Sequence, residues 1–197
     1  MAIVVTGATG HLGRLVVESL LKRGVPAENV VATGRRVETI ADLAERGVDV
    51  RRAEFDRPDT LATAFAGAAV VLLVSGSEFG TRVAGHRAVV EAARAAGAGR
   101  IVYTSAPHAD TSTMLLARDH RATEEIVTAS GLPWTVLRNG FYHEVYTDQI
   151  PNYLQQGAIV GAAGTGRISG ATRADLADAA AAVLTGDGHE GRTYELG

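Results

Sequence analysis

Short apolar runs alternate with amphipathic stretches along the whole chain. Ile3, Val4 and Val5 form the first apolar run, the pattern of a strand buried on both faces. Leu12, Leu15, Val16, Leu20 and Leu21 then recur on one helical stripe. The same pair of patterns repeats. Strands are predicted over residues 30–33, 48–55, 69–74, 101–104, 134–137 and 194–196. Helices are predicted over residues 38–46, 59–66, 83–96, 118–130 and 174–184. Gly47, Gly97 and Gly131 stop three of them, and Pro58 precedes another. Residues 143–156 carry a helical pattern that Pro151 interrupts. Residues 161–170, rich in glycine and alanine, read as a mobile loop. Strands alternating with helices imply an α/β fold: a doubly wound parallel sheet with right-handed crossovers and helices on both faces. Ligands of such sheets bind at the carboxyl ends of the strands, where the strand order switches.

Composition narrows the class. At 197 residues the chain is long enough for one domain with a sizeable core, and 46% hydrophobic against 21% charged residues is a globular balance. The net charge is −3, and Arg35-Arg36 and Arg51-Arg52 are only pairs, so nucleic acid is not an expected partner. The chain contains no cysteine, which removes disulfides, thiolate metal sites and a cysteine nucleophile. No metal site is expected. The first apolar run leads straight into a glycine turn rather than a signal sequence, and no stretch approaches the ~20 apolar residues of a membrane span. The expectation is a cytoplasmic chain.

The chemistry-bearing residues follow the strands. After the first comes Thr6-Gly7-Ala8-Thr9-Gly10-His11-Leu12-Gly13, in G-x-x-G-x-x-G spacing. Strand, glycine turn and helix in that order form the phosphate corner of a Rossmann dinucleotide fold. Gly7 permits the turn, Gly10 lets the backbone approach a pyrophosphate, and Gly13 lets the helix pack on the strand. The alternative is an ordinary turn without a ligand. After the second strand, Arg35 and Arg36 stand where NAD enzymes place an acid on the ribose 2′-OH. Arg35 can instead clamp a 2′-phosphate, or both can be solvated strand ends. After the third, Asp56 faces an adenine amino group, with Phe55 lining the slot, or else starts the next turn. After the fourth, the small residues Ser75, Gly76 and Ser77 let a cofactor pass close, or simply turn the chain. After the fifth comes Thr104-Ser105, but the Tyr-x-x-x-Lys of standard short-chain dehydrogenases is absent, and no lysine follows Lys22. His120 is a candidate proton donor, or a partly exposed helix histidine. After the sixth come Asn139, Gly140, Phe141, Tyr142, His143 and Glu144. There an amide and two flat rings could meet a nicotinamide or a flat substrate, unless the aromatic pair belongs to the core. Tyr142 is a second weak catalytic candidate.

Taken together, the glycine turn, Tyr103-Thr104-Ser105, His108-Ala109-Asp110-Thr111-Ser112, Leu137-Arg138-Asn139-Gly140-Phe141-Tyr142, Gly161-Ala162-Ala163-Gly164 and Ala171-Thr172-Arg173-Ala174-Asp175 resemble one family. They resemble the type 2 NAD(P)H:quinone oxidoreductases, NmrA-like members of the atypical short-chain dehydrogenases. The resemblance covers residues 1–197. It implies NADPH, with NADH weaker, bound by residues 7–12, Arg35, residues 75–77 and residues 139–144. It implies two-electron reduction of a quinone by direct hydride transfer; the alternative is an NADP(H)-binding redox sensor without turnover. Residues 1–197 would be the cofactor domain, with the family's smaller C-terminal substrate domain largely absent. Met114, Leu115, Leu116, Phe141 and Tyr142 would then form an open apolar face through which the chain could associate with itself.

Overall fold

The structure is a computed structural model that describes residues 2–78 and 80–197. In chain order its strands are β1 (Ala2–Val5), β2 (Val30–Gly34), β3 (Asp49–Arg52), β4 (Ala68–Leu73), β5 (Arg100–Ser105), β6 (Trp134–Asn139), β7 (Phe141–Tyr142), β8 (Gly170–Ala171) and β9 (Arg192–Leu196). The helices are α1 (His11–Lys22), α2 (Ala41–Glu45), α3 (Pro58–Ala64), α4 (Arg82–Ala95), α5 (Leu115–Thr128), α6 (Glu144–Thr147), α7 (Ile150–Gln156) and α8 (Arg173–Thr185). Seven parallel strands form one sheet in the order β3-β2-β1-β4-β5-β6-β9. From β1 the chain builds outward through β2 and β3. From β4 it builds the other way, so the order switches between β1 and β4.

The pleat explains the apolar runs. Ile3 and Val5 face one helical layer and Val4 faces the other. The first layer is α1, α2 and α8, whose Val16, Leu20, Leu43, Ala177 and Ala181 are buried against the sheet. The second is α3, α4 and α5, contributing Leu61, Val89, Ala93 and Val127. Both faces of the central strands are therefore dry, which is why β4 is apolar from end to end. Small residues let α8 lie close along α1, and the Ser19 hydroxyl donates to Asp178 across the contact.

Several boundaries differ from expectation. β3 stops at Arg52, short of residue 55, because the Glu54 N–H is taken by the Thr60 hydroxyl at 2.9 Å and the chain turns there. Residues 38–46 divide into a 3₁₀ turn (Val37–Ile40) and α2. α5 begins at Leu115 rather than at residue 118. The pattern over residues 143–156 makes two helices, because Pro151 has no N–H to continue a helix and sits instead in the first turn of α7. The small parallel pair β7–β8 was not expected, since strands of two residues leave no periodicity to read. No helix among the described residues is long and apolar enough to cross a membrane.

Candidate functional site

The glycine turn lies at the carboxyl end of β1, at the switch in strand order. Gly7 adopts φ +63°, a left-handed conformation that a side chain would strain. The Ala8 N–H donates to the Thr33 carbonyl at 2.8 Å and the Gly10 N–H to the Gly7 carbonyl at 2.9 Å, which ties the turn to β2. Gly13 is a packing glycine: a Cβ there would lie 2.4 Å from the Gly7 oxygen. Gly10 is different. Among the described residues its only neighbour within 4 Å of a Cβ is the Gly7 oxygen at 3.3 Å, so that side of the turn is open. No side chain caps α1 at Gly10, and the first-turn N–H groups of His11, Leu12 and Gly13 have no acceptor within the helix. An open turn with N–H groups at a helix start fits a phosphate. Ala8 and Leu12 are buried beneath it, Thr9 is half-buried against Gly34, and His11 is exposed.

Across β1 from β2, the loop after β4 is pinned from below. Three successive backbone N–H groups go to buried side chains of the turn after β1, of β5 and of α4: Val74 to the Thr6 hydroxyl at 3.0 Å, Ser75 to the Thr104 hydroxyl at 2.9 Å, and Gly76 to His86 Nε2 at 3.0 Å. Arg82 Nε donates to the Gly76 carbonyl at 2.7 Å, so α4 holds both backbone polar groups of Gly76. These N–H groups cannot also hold a phosphate, which leaves that role to the Gly7–Gly13 turn. For His86 Nε2 to accept, the ring must be neutral with its proton on Nδ1, 2.9 Å from Thr123 Oγ1. Burial, then the neighbouring His120 and Arg82, lower the His86 pKa to about 3. The Phe55 ring meets the His86 ring edge-on, 6.1 Å between centroids, beneath Gly76. Asp56 and Ser77 are exposed. Arg35 is exposed too, and its Nη1 lies 2.5 Å from Glu78 Oε1.

At the far end of the cleft, Asn139 closes β6. Its Oδ1 is the buried side-chain polar atom without a hydrogen-bond partner among the described residues, a state that costs about 1–3 kcal/mol unless a ligand fills it. Gly140 is buried, and a Cβ there would lie 2.7 Å from the Leu196 oxygen, so the end of β9 demands glycine. Phe141 is exposed. Tyr142 is half-buried, with the Arg173 guanidinium 4.9 Å from its ring centre. Burial raises the Tyr142 pKa, and a hydrogen bond from Asn139 and the Arg173 charge act against it. His143 is exposed beside Gly170. The Glu144 carboxylate accepts from the Arg173 N–H at 2.8 Å, so it caps α8 together with Thr172. Met114 and Leu115 are exposed as expected, but Leu116 and Tyr142 are half-buried, and Tyr142 packs against the core.

His120 corrects the expectation of a partly exposed helix residue. It is 6% exposed, and its Nδ1 shares a 2.7 Å hydrogen bond with the Tyr103 hydroxyl. Burial, then Arg82, bring its pKa down to about 4. Ser105 donates to Glu124 at 2.5 Å, and Glu124 in turn holds Arg138, whose other nitrogen contacts Asp110 and Glu195 at 2.9 Å. The Glu124 bonds push the already basic Arg138 higher. Arg82, His86 and this ionic cluster were missed from sequence. Arg82 and His86 sit four residues apart on an alanine-rich helix, so the signal was present: two polar residues sharing one face.

A glycine cradle at the switch point, a pinned loop beside it and an orphaned amide oxygen at the far end define a dinucleotide-binding Rossmann domain. Residues 7–187 match the profile of the NAD(P)H-binding family, and the chain belongs to that family. It is 48% identical to quinone oxidoreductase 2 of Escherichia coli strain K12 over 194 residues, 98% of this chain and 68% of that protein. The crystal structure of an E. coli NADPH-dependent quinone oxidoreductase complexed with NADPH is 48% identical and superposes with a TM-score of 0.94 over 98% of this chain and 68% of that one. Citrobacter sp. triphenylmethane reductase complexed with NADP(H) is 41% identical, with a TM-score of 0.94 over 100% of this chain and 70% of that one. The chain thus spans about two thirds of the length of these relatives, and the type 2 quinone oxidoreductase resemblance holds.

Proposed function

We propose that the chain binds NADPH and reduces quinones in the cytoplasm by direct hydride transfer, with no proton donor supplied by the protein. When bound, the reduced nicotinamide supplies the hydride. The residues 7–13 turn holds the diphosphate with backbone N–H groups. Arg35 takes the 2′-phosphate, which is the source of NADPH preference. Ser75, Gly76 and Ser77 line the passage, with Phe55 below and Asp56 at its edge. The observation that carries the reading is the buried, unpartnered Asn139 Oδ1: a carboxamide N–H is the donor it lacks. Gly140, Phe141, Tyr142, His143 and Glu144 continue that wall, and the two aromatic rings suit a flat acceptor.

The relatives named as quinone and triphenylmethane reductases support the acceptor class. Both acceptors are conjugated electrophiles. A quinone takes hydride at about 3–3.5 Å, and the resulting hydroquinone anion is stabilised by delocalisation and takes its proton from water. An isolated ketone yields a basic alkoxide and needs a positioned acid. His120 is bonded to Tyr103, and Ser105 to Glu124, which supports a mechanism without either. Met114, Leu115, Phe141, Val145 and Tyr146 are exposed near this end. We infer that further protein covers them in use, either a substrate domain of the kind the resembling family carries or a second copy.

The test is NADPH oxidation with a benzoquinone and, in parallel, with a saturated cyclic ketone. Turnover of the quinone alone is expected. Tight NADPH binding without quinone turnover would favour the redox-sensor reading, and equal turnover of the ketone would contradict the absence of a protein acid.

A further inference from the structure

Arg35 and Glu78 meet across the glycine turn. Arg35 follows β2 and Glu78 follows β4, the two strands that flank β1, and the 2.5 Å contact between them joins the two sides of the cleft. Glu78 stands two residues beyond Gly76, whose N–H and carbonyl are held by His86 and Arg82. That anchor keeps the carboxylate within reach of Arg35. The pair is not there for the fold: the side chains are 65% and 58% exposed, and exposed ion pairs contribute little to stability. The contact is a single one, Nη1 to Oε1, and it engages a guanidinium that a phosphate oxygen could engage in the same way.

We propose that Glu78 is a specificity-determining residue that competes with the cofactor 2′-phosphate for Arg35. The carboxylate sits on the guanidinium that the 2′-phosphate would take. A 2′-phosphate must displace it and leave two anions close together. An unphosphorylated ribose carries hydroxyl donors instead, and a carboxylate at that place accepts from them. Glu78 therefore narrows the NADPH-over-NADH preference below what Arg35 alone would set. It also supplies, from the β4 loop, the acid that dinucleotide folds more often place after β2. The inference rests on the reading of Arg35 as the 2′-phosphate contact.

The experiment is calorimetry of the full chain with adenosine 2′,5′-bisphosphate and with 5′-AMP, which differ only in the 2′-phosphate. The proteins are the unmodified chain, Glu78→Gln, Arg35→Ala and the double variant. Glu78→Gln is expected to tighten the bisphosphate by about two- to fivefold, the scale of an exposed ion pair. It should leave 5′-AMP unchanged or weaker and should not alter the melting temperature. In the Arg35→Ala background the gain should disappear. No gain in the unmodified background, or an equal gain in both, would overturn the competition. If Arg35→Ala weakens the two ligands equally, the Arg35 reading itself fails, whatever Glu78→Gln does.

Discussion

Gly13 and Gly10 differ by what a single methyl group would meet. At Gly13 it would lie 2.4 Å from the Gly7 oxygen and 2.9 Å from the Ala8 nitrogen, both backbone atoms of a turn with no room to move. At Gly10 it would meet only the Gly7 oxygen among the described residues, at 3.3 Å, a contact that a shift of a few tenths of an ångström relieves. Gly13→Ala is therefore expected to destabilise the fold by about 1–3 kcal/mol or more, as overpacking does. Gly10→Ala should melt close to the unmodified chain but bind NADPH more weakly. Thermal melts and NADPH titrations of the two variants separate the roles; equal loss of stability in both would contradict them. The two glycines were legible in sequence because the fold allows few residue types at such positions. Asn139 was legible as an amide after a strand. That its oxygen is left without a partner among the described residues was not, because that depends on the side chains the fold brings around the end of β6.

At the level of elements, the sheet was readable for a physical reason. A strand buried on both faces must be largely apolar, so the five inner strands β1, β2, β4, β5 and β6 declared themselves, whereas the edge strands β3 and β9 are more polar. The ends of the elements did not declare themselves. β3 ends where a Thr60 hydroxyl takes a backbone N–H, and the helical run over residues 143–156 breaks at Pro151, both decided by single contacts. The pinned loop after β4 was hidden more deeply. Thr6, Thr104, Arg82 and His86 look like ordinary polar positions, and only the assembled sheet aims them at three consecutive N–H groups and one carbonyl. His86→Leu leaves the Gly76 N–H with no acceptor. Loss of about 1–3 kcal/mol of stability is expected, together with weaker NADPH binding. His86→Gln, whose amide oxygen can accept the same bond, should recover part of the binding. Affinity that follows stability without any difference between Gln and Leu would show that the loop is not positioned by this bond.

Across the whole molecule, burial leaves His86 and His120 neutral, at about 3 and about 4, whereas an unfolded histidine titrates near 6.5. As pH falls below that value the unfolded chain takes up protons that the folded chain refuses. Their contribution is therefore fully present above about pH 6.5 and is lost as the pH falls toward 4. The slope is about 1.4 kcal/mol per pH unit for each histidine. Urea midpoints measured at about pH 7, 6 and 5 should fall steadily, and His86→Gln should flatten the fall. Midpoints that do not change over that range would mean that the two rings are not held neutral by the fold.

The same two values bear on the chemistry. Neither histidine changes charge near neutrality, and neither is free to give a proton, so hydride transfer to a quinone should not depend on a protein ionisation. The most direct measurement is single-turnover oxidation of bound NADPH by a benzoquinone between about pH 5.5 and 8, where a general acid with an ordinary histidine pKa would titrate. The account predicts a rate that stays level across this range and is little changed by His120→Ala. A rate that rises and falls with one ionisation, and drops by the ~10²–10⁴ of a lost general acid in His120→Ala, would contradict it.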